Sequence, residues 1–429
     1  MKEKEILELA CRAIVDIIEQ KNSFSRALKS VFENNETTSE VKSHVSAFVG
    51  CALRHYFVFD QFVKDNFKEL KISTASKVYV VLANNLFLKR FDETLCNEFL
   101  KESLIAADVS YNQEEFGELL LKIGKEIPLI PEKIDKGSYE FLSLRFNTPL
   151  WLIKMWVKHF GRGLTYKILK ANSRPALTAV RVNTLLTSSE TLLEKFPKVL
   201  EVSDTDNILI YKGRASIRKE NFYRDYQVFY EKMAVKYLFD LLDLDPLKTI
   251  SIYAHDYNNA FLELAVRTQN EAKFDIIVPS GKDFFQFKTA ILNFKLSNRV
   301  KAYECEITGL VSIMSAPIST FIVFPQSSNF ELLRSEPDYF LRFNPEVLDE
   351  IIKTQKTTLE ESAKFIENGG RLIYIIPTIS KKEGTYLISD FLKNHSEFKL
   401  LAERQVFPFE NLDSSLYYAI LIKEDTNVD

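Results

Sequence analysis

Between Phe141 and Ser189 the chain contains no aspartate or glutamate, yet it carries Arg145, Lys154, Lys158, Arg162, Lys167, Lys170, Arg174 and Arg181. Uncompensated cations at this density attract phosphates, so the segment reads as a surface that holds RNA or another polyanion. A solvated basic face is the plain alternative. Guanidinium groups grip phosphate in a fork that lysine lacks, which makes Arg145, Arg174 and Arg181 the leading contacts, with Asn183 beside them. No other cluster offers comparable chemistry. Cys11, Cys51, Cys96 and Cys305 lie far apart and form no CxxC or Cys/His group, which argues against zinc and against a disulfide framework. His44 and His55 have no carboxylate or cysteine at ligand spacing and read as structural or surface residues, so no metal site is expected.

The basic segment is a local feature. The whole chain carries net charge −3, whereas residues 141–220 hold 14 basic against 6 acidic residues, a net +8. Residues 1–140 carry −4 and residues 221–429 carry −7. With 46% hydrophobic and 27% charged residues, the 429-residue chain has the make-up of a soluble globular protein of two or three domains. No stretch approaches the roughly 18 apolar residues of a membrane span, and the start, Met1 to Glu5, lacks the layout of a signal peptide. A cytoplasmic protein without membrane contact is expected.

Three regions must position these residues. Residues 1–130 read as an all-α bundle, because Ile6, Leu9, Ala10, Ala13, Ile14 and Ile17 recur at helical spacing and similar stripes run through 41–62, 75–91 and 116–123. Pro128, Pro131 and Gly137 mark a linker. Residues 138–220 read as a small α+β module. Its first helix has Thr148 as N-cap and Pro149 at its first position, and it ends at Phe160 before Gly161. Leu152, Trp156 and Phe160 share a stripe that reads as core. A second short helix passes through Lys167, Ile168 and Leu169, and a strand follows in which Leu177, Ala179 or Val180, and Val182 alternate with polar residues, presenting Arg181 and Asn183 near its end. Residues 221–429 alternate short β-rich runs (249–253, 274–278, 300–303, 321–324, 371–376) with helical stretches (258–266, 284–296, 345–367), the signature of a parallel α/β sheet. A closing hairpin is expected over 407–421.

The run from Arg145 to Leu152 (Arg145, Phe146, Asn147, Thr148, Pro149, Leu150, Trp151, Leu152), with Ala171, Asn172, Pro175 and the run Arg181, Val182, Asn183, Thr184, closely resembles the bacterial rRNA 5-methylcytosine methyltransferases of the RsmB (Sun/Fmu) type. That resemblance implies a multidomain chain: a helical domain like the antitermination factor NusB over 1–130, a small RNA-binding module over 138–220, and a Rossmann-like methyltransferase domain over 221–429. Phe24 and Ser25, the segment Ala52 to Tyr56, and Asn97 with Glu98 fit the first of these. Arg334, Pro337 and Asp338, Gln355, and the pair Gly369 and Gly370 fit the last.

The same resemblance implies chemistry that this chain lacks. The family turn after the first strand reads Ala-Pro-Gly-Gly-Lys, since only glycine lets backbone approach adenosylmethionine so closely; here the turn is His255, Asp256, Tyr257, Asn258 and Asn259. The acid expected after the second strand is replaced by Pro279 or Ser280. The family Asp-Ala-Pro-Cys-Ser-Gly corresponds to Val323 through Ser328, which puts Val323 at the Asp and Gln326 at the cysteine. The Thr-Cys pair, whose thiolate attacks the pyrimidine, corresponds to Ile376 and Pro377. Cys305 lies elsewhere, and Asp256 and Glu304 read as solvated acids. The expectation is therefore an RNA-binding, catalytically inactive relative that acts in small-subunit rRNA binding or ribosome assembly, with no cofactor. An active S-adenosylmethionine-dependent 16S rRNA (cytosine-C5) methyltransferase with displaced motifs is one alternative. A scaffold that holds a protein partner through its N-terminal bundle is the other.

Overall fold

The structure is a computed structural model and describes residues 3–67, 69–109, 113–124, 130–213, 215–242, 244–279, 281–314, 317–411 and 414–424. The chain divides into two compact units, one of residues 1–174 with 332–344 and the other of residues 175–331 with 345–429.

The first unit is helical. It comprises α1 (Glu3–Gln20), α2 (Phe24–Glu33), α3 (Ser39–Arg54), α4 (Tyr56–Asn66), α5 (Ile72–Leu82), α6 (Glu93–Ala106), α7 (Gln113–Gly124), α8 (Tyr139–Phe146) and α9 (Leu150–Asn172). The apolar stripe of α1 is buried as its spacing requires, and one core joins it to Val45, Phe48, Phe59, Val78 and Leu100. Ser23, Thr38 and Asp92 cap their helices by accepting from backbone N–H groups. Burial pushes the Cys11, Cys51 and Cys96 thiols up to about 12, in keeping with inert core residues. His55 is pushed down to about 4, by burial first and then by Arg54, and it stacks on Phe87 at 3.9 Å.

The stripe over 41–62 is two helices rather than one, because the chain leaves helical geometry at His55. Asn147 closes that break. It ends α8 in the left-handed region (φ 48°), its Oδ1 accepts from Phe57 N at 3.0 Å, and its Nδ2 donates to Leu53 O at 2.7 Å. The residue that caps α9 is Pro149, not Thr148, whose hydroxyl donates instead to Phe146 O. Gly161 (φ 79°, ψ 166°) divides α9 into two arms, a conformation that side chains other than glycine resist. Trp156 and Leu152 are fully buried, as their stripe predicts.

Residues 332–344 complete this unit as a strap. Arg334 and Asp338 are 4% and 1% exposed, levels at which a charge must be paired. Arg334 Nε donates to Arg174 O at 3.1 Å. Asp338 Oδ2 accepts from Phe24 N at the start of α2 (3.1 Å) and from Arg342 Nε (2.6 Å). Phe340 stacks on Phe57 and Phe343 on Trp151.

The second unit holds two sheets. A four-stranded antiparallel sheet has the order β2 (Leu200–Val202), β3 (Ile208–Tyr211), β1 (Thr178–Val182), β4 (Val228–Tyr230). The larger sheet is built from β5 (Thr249–Ala254), β6 (Lys273–Val278), β7 (Val300–Glu304), β8 (Ile318–Phe324), β9 (Ile366–Ile376), β10 (Phe398–Val406) and β11 (Leu416–Lys423), in the order β10-β11-β9-β8-β5-β6-β7. Strands β5 to β9 run parallel and β11 antiparallel. This is the Rossmann-like methyltransferase sheet. The closing hairpin differs from the expected 407–421: its first arm is β10, an edge strand whose charges obscure its pattern. Strand β9 starts at Ile366, inside the stretch read as helix, and admits Gly369 at φ 75°. The unit boundary at Arg174 falls within the segment 138–220, leaving α8 and α9 with the bundle and β1 to β4 with the large sheet.

The strap yields the first prediction. Asp338→Ala leaves the Phe24 N–H without its acceptor and takes from Arg342 its Nε partner, with Glu336 still paired to that guanidinium, so it should destabilise the helical unit by about 2–4 kcal/mol. Both tryptophans lie in this unit, so urea unfolding followed by their fluorescence reads it directly. A loss no larger than that of the more exposed Glu336→Ala would refute the anchoring role.

Candidate nucleic-acid interface and methyl-transfer cleft

The basic residues of the acid-free segment fall into two groups. Arg145, Lys154, Lys158, Arg162, Lys167, Lys170 and Arg174 are exposed on α8 and α9 or just past them, all in the helical unit. Among the described residues Arg145, Lys154, Lys158, Lys170 and Arg174 form no salt bridge, whereas 16 other lysines and arginines do. The guanidinium of Arg145 lies 5.5 Å from the Phe146 ring centroid, and that of Arg162 lies 5.7 Å from Tyr139. Arg162 also donates to Gly137 O. Exposed cations without carboxylate partners keep their full field for an external anion.

Arg181 and Asn183 are placed differently from the sequence reading. Both are buried in the second unit, at 7% and 3% exposure, because the strand end that should present them is covered. Arg181 donates to Asp206 O at 2.8 Å, and its Nε lies 2.8 Å from Glu263 Oε2 as an ion pair whose N–H is not aimed at the oxygen. Glu263 also receives Arg267 Nε at 2.5 Å, and Arg267 reaches Asp240 at 2.9 Å. This chain of charges ties β1 to the helix Ala260–Arg267. Asn183 donates to Tyr226 O at 3.0 Å and accepts from Leu185 N at 3.3 Å, so its amide shapes the turn after β1.

In the large sheet, the turn after the first strand lies where the sequence places it, between β5 and the helix Ala260–Arg267. Tyr257 N donates to Asp283 Oδ1 at 3.1 Å, a bond that joins this turn to the helix following β6. The Tyr257 ring packs on Phe287 at 4.8 Å, and its hydroxyl donates to Asn259 Oδ1 at 2.8 Å; burial, then Tyr223, pushes that phenol up to about 12. Asn259 Nδ2 in turn donates to Tyr230 O at 2.8 Å. Asp256 and Glu304 are exposed, with a Glu304 oxygen 2.9 Å from where a Cβ on Gly281 would sit. Pro279 directly follows β6, and Ser280 lies outside the described residues.

Strands β8 and β9 are parallel neighbours, which brings the loop at Gln326 and the loop at Pro377 together. Val323 is fully buried within β8. What joins the two loops is a residue the sequence reading missed, Glu383, which has no solvent exposure. Its carboxylate accepts from Ser328 N (2.9 Å), Ser328 Oγ (2.6 Å), Thr378 Oγ1 (3.0 Å) and Gln355 Nε2 (3.0 Å), with Ser327 Oγ at 3.4 Å. Gln355 Nε2 also donates to Gln326 O at 2.9 Å, and Tyr374 donates to Glu383 O at 2.9 Å. The run Lys381, Lys382, Glu383 has the look of a surface turn, so only the donors that converge in space reveal it. Cys305, whose thiol donates to Glu306 O, lies after β7 and not at these loops.

The fold defines the class, a protein built on the Rossmann-like methyltransferase fold with an added helical unit. Residues 148–199 match the family model described as Methyltr_RsmF/B-like, ferredoxin-like domain. The chain is 20% identical, over 93% of its length and 90% of the relative's, to the probable ribosomal RNA small subunit methyltransferase B of Bacillus subtilis (strain 168). It shares its fold with the crystal structure of PH0851, at TM-score 0.77 and 19% identity, covering 99% of both chains. It matches NSun6 from Pyrococcus horikoshii with SFG at TM-score 0.57 and 12% identity, covering 65% of this chain and 98% of that one. The resemblance carried by residues 145–184 is thereby borne out: residues 148–199 match the RsmF/B-like model, and most of the chain is similar to a probable ribosomal RNA small subunit methyltransferase B.

Two expected outcomes follow from the buried charges. Arg181→Ala should destabilise the second unit by about 2–4 kcal/mol, with Arg267 left to compensate Glu263, and should leave the RNA affinity of the folded protein unchanged; denaturation and filter binding on one sample separate the two effects. Glu383→Ala strips the acceptor from at least four donors and should destabilise by about 3–5 kcal/mol, with Glu383→Gln recovering part of the loss. A Glu383→Ala protein with wild-type unfolding would remove the case for the carboxylate as a clasp.

Proposed function

We propose that this protein binds RNA of the small ribosomal subunit through the exposed cations of α8 and α9, serves ribosome assembly, and transfers no methyl group. The observation that carries the reading is at the convergent loops: the two positions that match the family cysteines are Gln326 and Pro377, and neither side chain can form the thioether adduct that activates cytosine C5. The Asp position, Val323, cannot ionise. Nor do the residues after β5 fit adenosylmethionine. A glycine turn offers its N–H groups and a face free of Cβ atoms to the ligand, whereas here Tyr257 N is taken by Asp283 and its ring packs on Phe287. SFG is bound by the NSun6 relative, whose fold this chain shares at 12% identity. No helix among the described residues is long and apolar enough to cross a membrane.

Isothermal titration calorimetry with adenosylmethionine should give no binding heat, and purified protein should deposit no 5-methylcytosine on small-subunit rRNA in a bisulfite assay. Micromolar binding, or methylation that depends on this chain alone, would establish the active enzyme instead. For the RNA surface, the triple variant Arg145→Ala, Lys158→Ala, Arg174→Ala should weaken binding of a structured rRNA fragment by about tenfold and flatten the dependence on salt, because each neutralised phosphate releases condensed counterion. Gln326→Ala and Pro377→Ala should bind as wild type does. An unchanged salt slope in the triple variant would favour a scaffold that works through the helical bundle.

A further inference from the structure

Five large apolar side chains of the acid-free segment are exposed, Leu150, Leu164, Tyr166, Leu185 and Leu186, and Tyr166 is the one aromatic among them. Tyr166, on the second arm of α9, is 40% exposed. It is not loose. Its ring meets Phe146 edge-on at 5.5 Å and 86°, and the Arg145 guanidinium stands 5.5 Å over that same Phe146 ring. Arg162, Tyr166 and Lys170 are spaced four residues apart beyond the kink at Gly161, so they line one face of the helix at about 6 Å intervals. All three are exposed, as is Leu164 at 37%. A fixed aromatic face bracketed by cations, on a segment without a carboxylate, is the arrangement that receives a base between two held phosphates.

We propose that Tyr166 stacks an unpaired nucleotide, so that the RNA this face prefers is single-stranded or carries a bulged or looped base at this point. The proposal rests on the RNA-binding reading and sharpens it. A duplex hides its base faces and offers Tyr166 only backbone, whereas an unstacked base covers the ring and gains both dispersion and the field of Arg162 and Lys170. Stacking tolerates any base, so the preference is for structure rather than sequence.

The test uses the full-length protein with two fluorescent probes of one sequence, a short unstructured RNA and its duplex, the single strand carrying 2-aminopurine. Tyr166→Leu keeps apolar packing against Phe146 but removes the π face; it should weaken single-strand binding by about tenfold, abolish the quenching of 2-aminopurine, and change duplex binding little. Tyr166→Phe should restore both. The pair Lys154→Glu, Lys158→Glu should weaken both probes. If Tyr166→Leu binds and quenches as wild type while the charge variant loses both probes, stacking is wrong and RNA binding stands. If wild-type protein binds neither probe, the RNA reading fails and the stacking proposal with it. Loss of a co-purifying protein in Tyr166→Leu, with RNA binding intact, would assign the face to a protein partner and overturn the proposal.

Discussion

The second unit is organised around a carboxylate that has nowhere to go. Glu383 is sealed from solvent, and a charge in that position survives only if its lone pairs are met. Ser328, Thr378 and Gln355 meet them, and they come from the loop after β8, the loop after β9 and the long helix Leu348–Ala363. Three elements separated by tens of residues are thus held in one arrangement. The family resemblance places its reacting groups at those loops, and in this structure they hold a clasp of hydroxyls, amides and one acid.

The molecule treats its other charges by the same rule. The buried Arg181 and the half-buried Arg267 pair with Glu263 in the second unit, and the half-buried Arg342 pairs with Asp338 in the first. Where cations stand on α8 and α9 most are left without ion pairs, although acids outnumber bases over the chain as a whole. Pairing there would have been easy to provide. Its absence concentrates positive field on one surface of the helical unit, and the kink at Gly161 re-aims part of that surface so that Tyr166 stands among the cations. The exposed cations of α8 and α9 and the Glu383 clasp reside in different units, so altering one leaves the physical basis of the other in place.

Much of this was legible in residue order, and the reasons are local. The 3.6-residue stripes of α1 and α7 and the β-rich runs at 249–253, 274–278 and 300–303 are periodic signals that tertiary context did not override. The ends of elements were less legible. His55 splits a continuous apolar stripe because Asn147, ninety residues away, supplies the bonds that stabilise the break. The edge strand β10 was hidden because an edge needs no alternation to be stable once β11 pairs with it.

The sequence by itself determined the fold class, the family resemblance, the acid-free basic segment, and the presence of no glycine over 255–259 and no cysteine at Gln326 or Pro377, since each depends on residue type at short range. Only the tertiary structure decided which cations remain free. Arg181 and Arg174 are equivalent as letters, yet one is neutralised by Glu263 eighty-two positions later and the other stands in solvent just past the end of α9. The same is true of Glu383, a surface-like residue until the parallel pairing of β8 and β9 brings its donors together, and of the strap, whose Asp338 finds Phe24 across most of the chain. Burial and partnership are properties of distance in space, which the order of residues does not record.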